Sequence, residues 1–250
     1  MPPRMLRVNE CSAEYAGHRV LDPISLRVGP GQTCCIVGPS GCGKTTFLLC
    51  AAGLKTALAG SVDLDGSPVA PGDRRVGLIL QQYGLFPWFT ARENVALGLK
   101  IRGVASHERH EAAEAELARV GLAGLGGRYP RELSGGEQQR VAIARSMALT
   151  PRLLLMDEPF SALDMLTREA LQEVLLSSLA LRNVAVVLVT HSIEEAVYLG
   201  QSIVLFAGSP GRVVARIENP EQGMPRHRTK EVFFRRCGEV RAAMERAKAG

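Results

Sequence analysis

Gly38-Pro39-Ser40-Gly41-Cys42-Gly43-Lys44-Thr45 is the stretch that decides the fold. It fits G-x-x-x-x-G-K-[ST], follows the apolar run Thr33–Val37, and opens a helical pattern over residues 44–52. Strand, glycine loop and helix therefore stand in the order that a phosphate-binding loop requires. Glycines at 38, 41 and 43 let the backbone curl so that successive N–H groups point inward at the positive end of the helix. Lys44 supplies a full charge to the β and γ phosphates, and the Thr45 hydroxyl can coordinate Mg²⁺. Cys42 lies at the helix start, a position that tends to lower a thiol pKa. Such a loop alone does not separate a kinase, a GTPase and a transport ATPase.

Outward from the loop, apolar strand-like runs at 153–156, 184–189 and 203–206 alternate with helical patterns at 166–180 and 193–199. This alternation predicts a mainly parallel sheet flanked by helices. The strand at 153–156 ends in Asp157 and Glu158, and strands of such sheets deliver functional groups at their C-terminal ends. Asp157 is placed to hold Mg²⁺, and Glu158 to orient and polarise the attacking water. Residues 89–149 read as helical throughout, which predicts a helical lobe inserted into the α/β core. Runs at 6–15 and 24–28, bounded by Gly17 and Pro30-Gly31, read as a small antiparallel sheet.

The bulk properties exclude several classes. The chain has 250 residues, 46% hydrophobic and 22% charged, enough for one α/β domain with a satellite lobe. Its apolar runs are a few residues long against the roughly 20 needed to span a bilayer, and residues 1–8 lack the apolar core of a signal peptide. Cys11, Cys34, Cys35, Cys42, Cys50 and Cys237 show no metal-ligand rhythm and read as free thiols in a reducing compartment. The net charge of +5 lies wholly in residues 224–250, where eight Lys or Arg (Arg226, Arg228, Lys230, Arg235, Arg236, Arg241, Arg246, Lys248) face three Glu. That stretch reads as a helix over 229–248 with a solvated basic face, and no nucleic-acid motif accompanies it.

Leu133-Ser134-Gly135-Gly136-Glu137-Gln138-Gln139-Arg140 then precedes a helical run, with Ser134 as N-cap and two glycines leaving N–H groups open to a phosphate. Here the sequence resembles the ABC ATPase family, whose signature this octapeptide matches; the resemblance spans about residues 5–217 with the motifs in the family's order. It implies a P-loop NTPase (RecA-like) core over about 1–85 and 153–217, with a small antiparallel β subdomain and an inserted α-helical subdomain over about 86–150. Together these make a single ABC ATPase domain over 1–220, with a basic tail over 221–250.

The resemblance also gives roles to residues that spacing leaves unexplained. Gln81 falls at the Q-loop glutamine, which reaches Mg²⁺ and water; Ser161-Ala162-Leu163-Asp164 is similar to the D-loop between subunits. His191 corresponds to the switch histidine on the γ-phosphate, and Tyr15 to the aromatic ring that stacks on adenine. The whole loop, Thr46 included, would contact ATP. Glu158, His191, Lys44 and Gln81 would serve catalysis, and Thr45, Gln81 and Asp157 the metal. In the family two copies bind head to tail, so Ser134, Gly135 and Gly136 would act on the nucleotide held by a second copy, and Asp164 of the D-loop would also belong to the nucleotide-binding set. The implied partners are that copy, transmembrane permease subunits contacted near residues 81–89 and, indirectly, a solute-binding protein, at the cytoplasmic face of a bacterial plasma membrane.

Gly84-Leu85-Phe86-Pro87-Trp88 with Thr90-Ala91-Arg92-Glu93-Asn94-Val95, and Ser209-Pro210-Gly211-Arg212-Val213, resemble the branch serving nitrate, sulfonate and taurine importers. Glu137, Ser192, Leu80 and residues 199–202 depart from the branch's common pattern, at positions that do not touch the chemistry of ATP. An ATPase of another transporter class, a soluble ABC ATPase and a P-loop kinase are the competing readings. The first is disfavoured by Phe86-Pro87-Trp88, the second by the lack of a coiled coil or second cassette, and the third by the signature octapeptide.

Overall fold

The computed structural model describes residues 5–161, 163–180, 182–222 and 227–249; Ala162 of the predicted D-loop and Arg226 of the basic stretch lie outside it. Thr33–Val37 forms β3, with all five residues buried. Runs buried on both faces belong in the middle of a parallel sheet covered by helices on each side. Leu153–Asp157 (β7) and Ala185–Thr190 (β8) are equally buried, and Val76–Ile79 (β6) and Ser202–Ala207 (β9) complete the parallel set. Arg212–Glu218 (β10) adds antiparallel to β9, giving the order β10-β9-β3-β8-β7-β6.

Alternation along β7 shows how the layers form. Leu153 and Leu155 face one apolar cluster, Leu154 and Met156 the other, as the two-residue period of a strand dictates. On the first side lies α1 (Lys44–Ala51), whose Phe47, Leu48 and Ala51 pack between the parallel sheet and a second, antiparallel one. That second sheet, ordered β2-β1-β4-β5, comprises Leu6–Tyr15 (β1), His18–Val28 (β2), Ala59–Leu64 (β4) and Ser67–Pro68 (β5). β2 begins earlier than the apolar pattern at 24–28 implies, because Ala16 and Gly17 take left-handed conformations and turn the chain into a tight hairpin.

The helical stretch contains α2 (Ala91–Ile101), α3 (Ser106–Arg119) and α4 (Gly135–Ala148), which pack on one another through Val95, Leu117 and Val141. Thr90 with Glu93 and Ser134 with Glu137 form reciprocal capping boxes that start α2 and α4. Beyond β7 come α5 (Met165–Ala180) and α6 (Ile193–Leu199), and the chain closes with α7 (Glu231–Ala249). The basic stretch is therefore helical but only half solvated. Phe233, Cys237 and Val240 enter the same core cluster as Leu205 of β9, and each such burial contributes about 1.5–3 kcal/mol for a large apolar side chain. Several of its cations are engaged: Arg236 with Glu221 and Glu239, Arg241 with Glu194, and Arg228 over the Tyr198 ring.

Between β6 and α2 the chain carries a set of aromatic rings. Phe86, Trp88 and Phe89 lie with centroids 5.6 to 6.3 Å apart, and Trp88 is 66% exposed. Leu85 packs inward against the core. Asn94, fully buried, fixes the segment: its amide oxygen accepts from Phe86 N at 2.8 Å, and its Nδ2 donates to the carbonyls of Phe86, Phe89 and Thr90. Asn94→Ala leaves buried backbone groups unpaired and should cost about 2 kcal/mol. Trp88 is the only tryptophan, so its fluorescence anisotropy should fall in that variant; an unchanged anisotropy would refute the anchoring role.

Candidate active site

Pairing register brings the predicted residues to one edge. Val37 of β3 is opposite Thr190 of β8, and Val189 is opposite Asp157 of β7. Gly38, His191 and Glu158, each next in sequence to these strand ends, therefore leave the sheet side by side. The loop between β3 and α1 is clamped from two directions. Gly43 has φ of 88°, and a Cβ there would meet Leu21 Cδ2 at 2.5 Å; a Cβ on Gly211 would meet the Cys42 carbonyl at 1.9 Å. Gly211 is further tied to the neighbouring strand, donating to Val20 O and accepting from Asp22 N. The segment Ser209 to Val213 thus braces the loop from behind.

Lys44 is buried, and its ammonium donates to the carbonyls of Gly38 and Pro39, both at 2.8 Å, drawing the loop into a ring around it. The helix behind it has Gly43 as N-cap, no side-chain cap and no acidic residue in its first turn. Its leading N–H groups and the lysine together present positive charge that no acidic residue of the helix's own first turn cancels, the arrangement that binds phosphate. Ser40 and Gly41 are exposed, Thr46 is buried, and Thr45 Oγ1 donates to Asp157 Oδ2 at 2.8 Å.

Asp157 is 6% exposed, and its Oδ1 has no hydrogen-bond partner. Burial pushes its pKa above the usual carboxylate value, with Glu158 adding to the effect and Thr45 and Lys44 opposing it. A buried carboxylate oxygen without a donor, beside a threonine hydroxyl, suits an oxygen-seeking divalent cation. Glu158 holds a left-handed backbone conformation, φ 45°, rare for a residue with a side chain. Its N–H donates to Val189 O, its carbonyl accepts from the backbone and hydroxyl of Ser161, and its Oε2 lies 3.1 Å from His191 Nδ1. Behind His191, Thr190 Oγ1 donates to the buried Glu195 at 2.6 Å and accepts from Ser192 N, which fixes the turn carrying the imidazole.

A second group stands apart from the first. Ser134 caps α4, Gly136 presses so closely on Thr167 that a Cβ there would meet Thr167 Cγ2 at 2.5 Å, and Thr167 N donates to Asp164 Oδ1. Among the described residues no hydrogen bond joins Ser134, Gly135, Gly136 or Asp164 to the phosphate loop. Gln81 is exposed and likewise makes no hydrogen bond to Thr45 or Asp157. Tyr15 is half-exposed, and the Lys55 ammonium lies 3.7 Å from its ring centroid.

The profile of the ABC transporter family matches residues 21–161, more than half of the chain. The chain belongs to the ABC transporter family. Among its relatives, the taurine import ATP-binding protein TauB of Chromobacterium violaceum is 49% identical over 218 residues, covering 86% of this chain and 83% of that protein. TauB of Escherichia coli K12 is 44% identical over 214 residues, covering 85% and 84%. A solved structure, the dimeric post-hydrolysis state of the ATP-binding cassette MJ0796 bound to ADP and Pi, superposes with a TM-score of 0.75 at 30% identity, covering 85% of this chain and 98% of that one. The chain is thus a transport ATPase built on a P-loop NTPase core with the ABC helical insertion.

Several residues of this ABC ATPase support the site through contacts that the sequence does not disclose. Glu195 anchors Thr190, Asn94 anchors the aromatic segment, and Arg145 donates to the carbonyls of Tyr83 and Gly84 just after Gln81. Cys42 corrects the sequence reading. Its pKa is raised, because burial outweighs the lowering by Lys44 and the loop amides. Its thiolate fraction near neutral pH is therefore below that of an ordinary thiol, and alkylation should be slow at pH 7 and accelerate only at more alkaline pH. Mass-spectrometric labelling of Cys42 at full speed at neutral pH would contradict this.

Proposed function

We propose that this chain powers an importer of a small sulfonate of the taurine type, two copies closing on shared ATP at the cytoplasmic face of a plasma membrane. The observation that carries the reading is the split of the site. Thr45 with Asp157, and Glu158 with His191, are hydrogen-bonded pairs at the C-terminal ends of adjacent strands, whereas Ser134, Gly135, Gly136 and Asp164 form a separate group. A head-to-tail pair supplies the second group to the first. Support for the solute comes from relatives that are named for taurine import. Among the described residues no helix is long and apolar enough to cross a membrane, and in this reading separate permease subunits carry the solute path. The exposed Phe86 and Trp88, held by Asn94, offer them an apolar ridge beside Gln81.

We infer the following division of labour from the family resemblance and from the placement of the residues. The phosphate loop, residues 38–46, cradles the phosphates, with Lys44 turning from its own loop carbonyls to the β and γ oxygens. Tyr15 stacks on the base. Thr45, Asp157 and Gln81 are the residues to hold Mg²⁺, which when bound there neutralises phosphate charge. Glu158 takes a proton from the attacking water, and its hydrogen bond with His191 keeps the carboxylate aimed while the imidazole reaches the γ-phosphate. Residues 1–85 and 153–217 act as the catalytic core and 86–150 as the helical lobe, with 221–250 a helix laid on the core.

Two variants separate binding from chemistry. Glu158→Gln should retain ATP affinity and lose turnover by about 10²-fold or more, as read by phosphate release in the assembled transporter. Lys44→Ala should weaken ATP binding itself in a direct titration. Normal turnover of the first, or normal affinity of the second, would overturn the assignments.

A further inference from the structure

The parallel strands have a second end, and a cavity of about 800 Å³ opens there. It lies at the start of β7 and β8, whereas the phosphate loop, Asp157 and His191 lie at the other end of these strands. Five residues of β7 separate the two, roughly 15 Å at strand rise. Three parts of the molecule meet around it: the end of β4, the parallel sheet, and α3 of the helical stretch. Its apolar lining includes the accessible Met5 and Pro30, together with the buried Leu64, Pro151 and Val184.

The charges on this wall are unequal. Arg119, Arg152 and Arg182 face it against two carboxylates, Asp65 and Glu116. Both carboxylates are already paired with arginine and recessed. Glu116, with a side chain 9% exposed, takes a two-pronged contact from Arg182 at 2.6 and 2.7 Å and a further one from Arg119. Asp65, 13% exposed, is bound by Arg152. Two of the three arginines are not saturated. Arg119 and Arg152 line the cavity with side chains 55% and 52% exposed, and each engages a carboxylate through one guanidinium nitrogen. Spare guanidinium donors over an apolar wall recognise an anionic head on an apolar body.

We propose that this cavity binds an organic acid whose sulfonate or carboxylate pairs with Arg119 and Arg152 and whose ring-sized apolar body rests on Met5 and Pro30. The volume lies in the range of sites for drug-sized molecules and far exceeds a two-carbon sulfonate. The occupant is therefore a larger acid than the taurine of the related importers, and the proposal stands independently of the transported solute.

The test is a fluorescence titration of the full chain with anilinonaphthalene sulfonate, an acid of the stated shape, with and without saturating ADP. The expected result is one dye per chain, unaffected by ADP. Arg119→Gln combined with Arg152→Gln should weaken the dye about tenfold or more, and Ser177→Trp, which fills the cavity from α5, should abolish binding while ADP affinity stays normal. Absence of binding, displacement of the dye by ADP, or equal affinity in the double variant and in Ser177→Trp would each overturn the proposal. Equal affinity would place the dye elsewhere, as on the exposed Trp88 ridge.

Discussion

A hydrogen bond of 2.8 Å from Thr45 Oγ1 to Asp157 Oδ2 joins the first turn of the phosphate-loop helix to the end of β7, and the site depends on the register that permits it. β7 and β3 are not neighbours; β8 lies between them. The bond forms because Val37, Thr190 and Asp157 end their strands at nearly the same level. A slip of one residue in either pairing would send Asp157 to the opposite face of the sheet. It would also move Glu158 away from His191. Full burial of β3, β7 and β8 on both faces makes such a slip costly, so the apolar strands hold the polar edge in place.

That edge is made of features unfavourable to folding. Asp157 is buried with a raised pKa and an unpaired oxygen, and Glu158 sits at positive φ. A carboxyl whose pKa is higher when folded is destabilising above that pKa, and the penalty fades as pH falls through it. Such costs are tolerated where ligand binding needs them. A cation and phosphates at this edge would offset both, which couples nucleotide binding to the stability of the site. The Lys44 ammonium, held by its own loop carbonyls, keeps the loop open in advance of the phosphates.

Much of this was legible in the sequence, because the central strands are continuous apolar runs and the loops beside them carry spaced glycines and charges. The phosphate loop, the acidic pair after β7 and the helix pattern of α6 follow from local chemistry alone. Edge strands were harder. β4 exposes three of its six residues, and β10 alternates only weakly between half-buried and exposed positions, so neither has the pattern of a buried strand. Gly211 reads as a turn glycine, yet its purpose is contact with the Cys42 carbonyl from a distant part of the chain. The burial of Cys42, which reverses its pKa shift, is likewise a tertiary property. The roles proposed for Gln81 and Tyr15 rest on the family resemblance, since neither residue makes a hydrogen bond that marks it.

Within one chain the serine-glycine turn before α4 and the lysine loop are separate, so a second copy is what completes the account. The most direct measurement is the mass in solution of the hydrolysis-blocked Glu158→Gln protein, by light scattering, with and without ATP and Mg²⁺. The account predicts a monomer that doubles its mass on adding nucleotide, and no doubling when Ser134 is replaced by a bulky arginine. A species that remains monomeric with saturating ATP and Mg²⁺, with or without its permease partners, would contradict it.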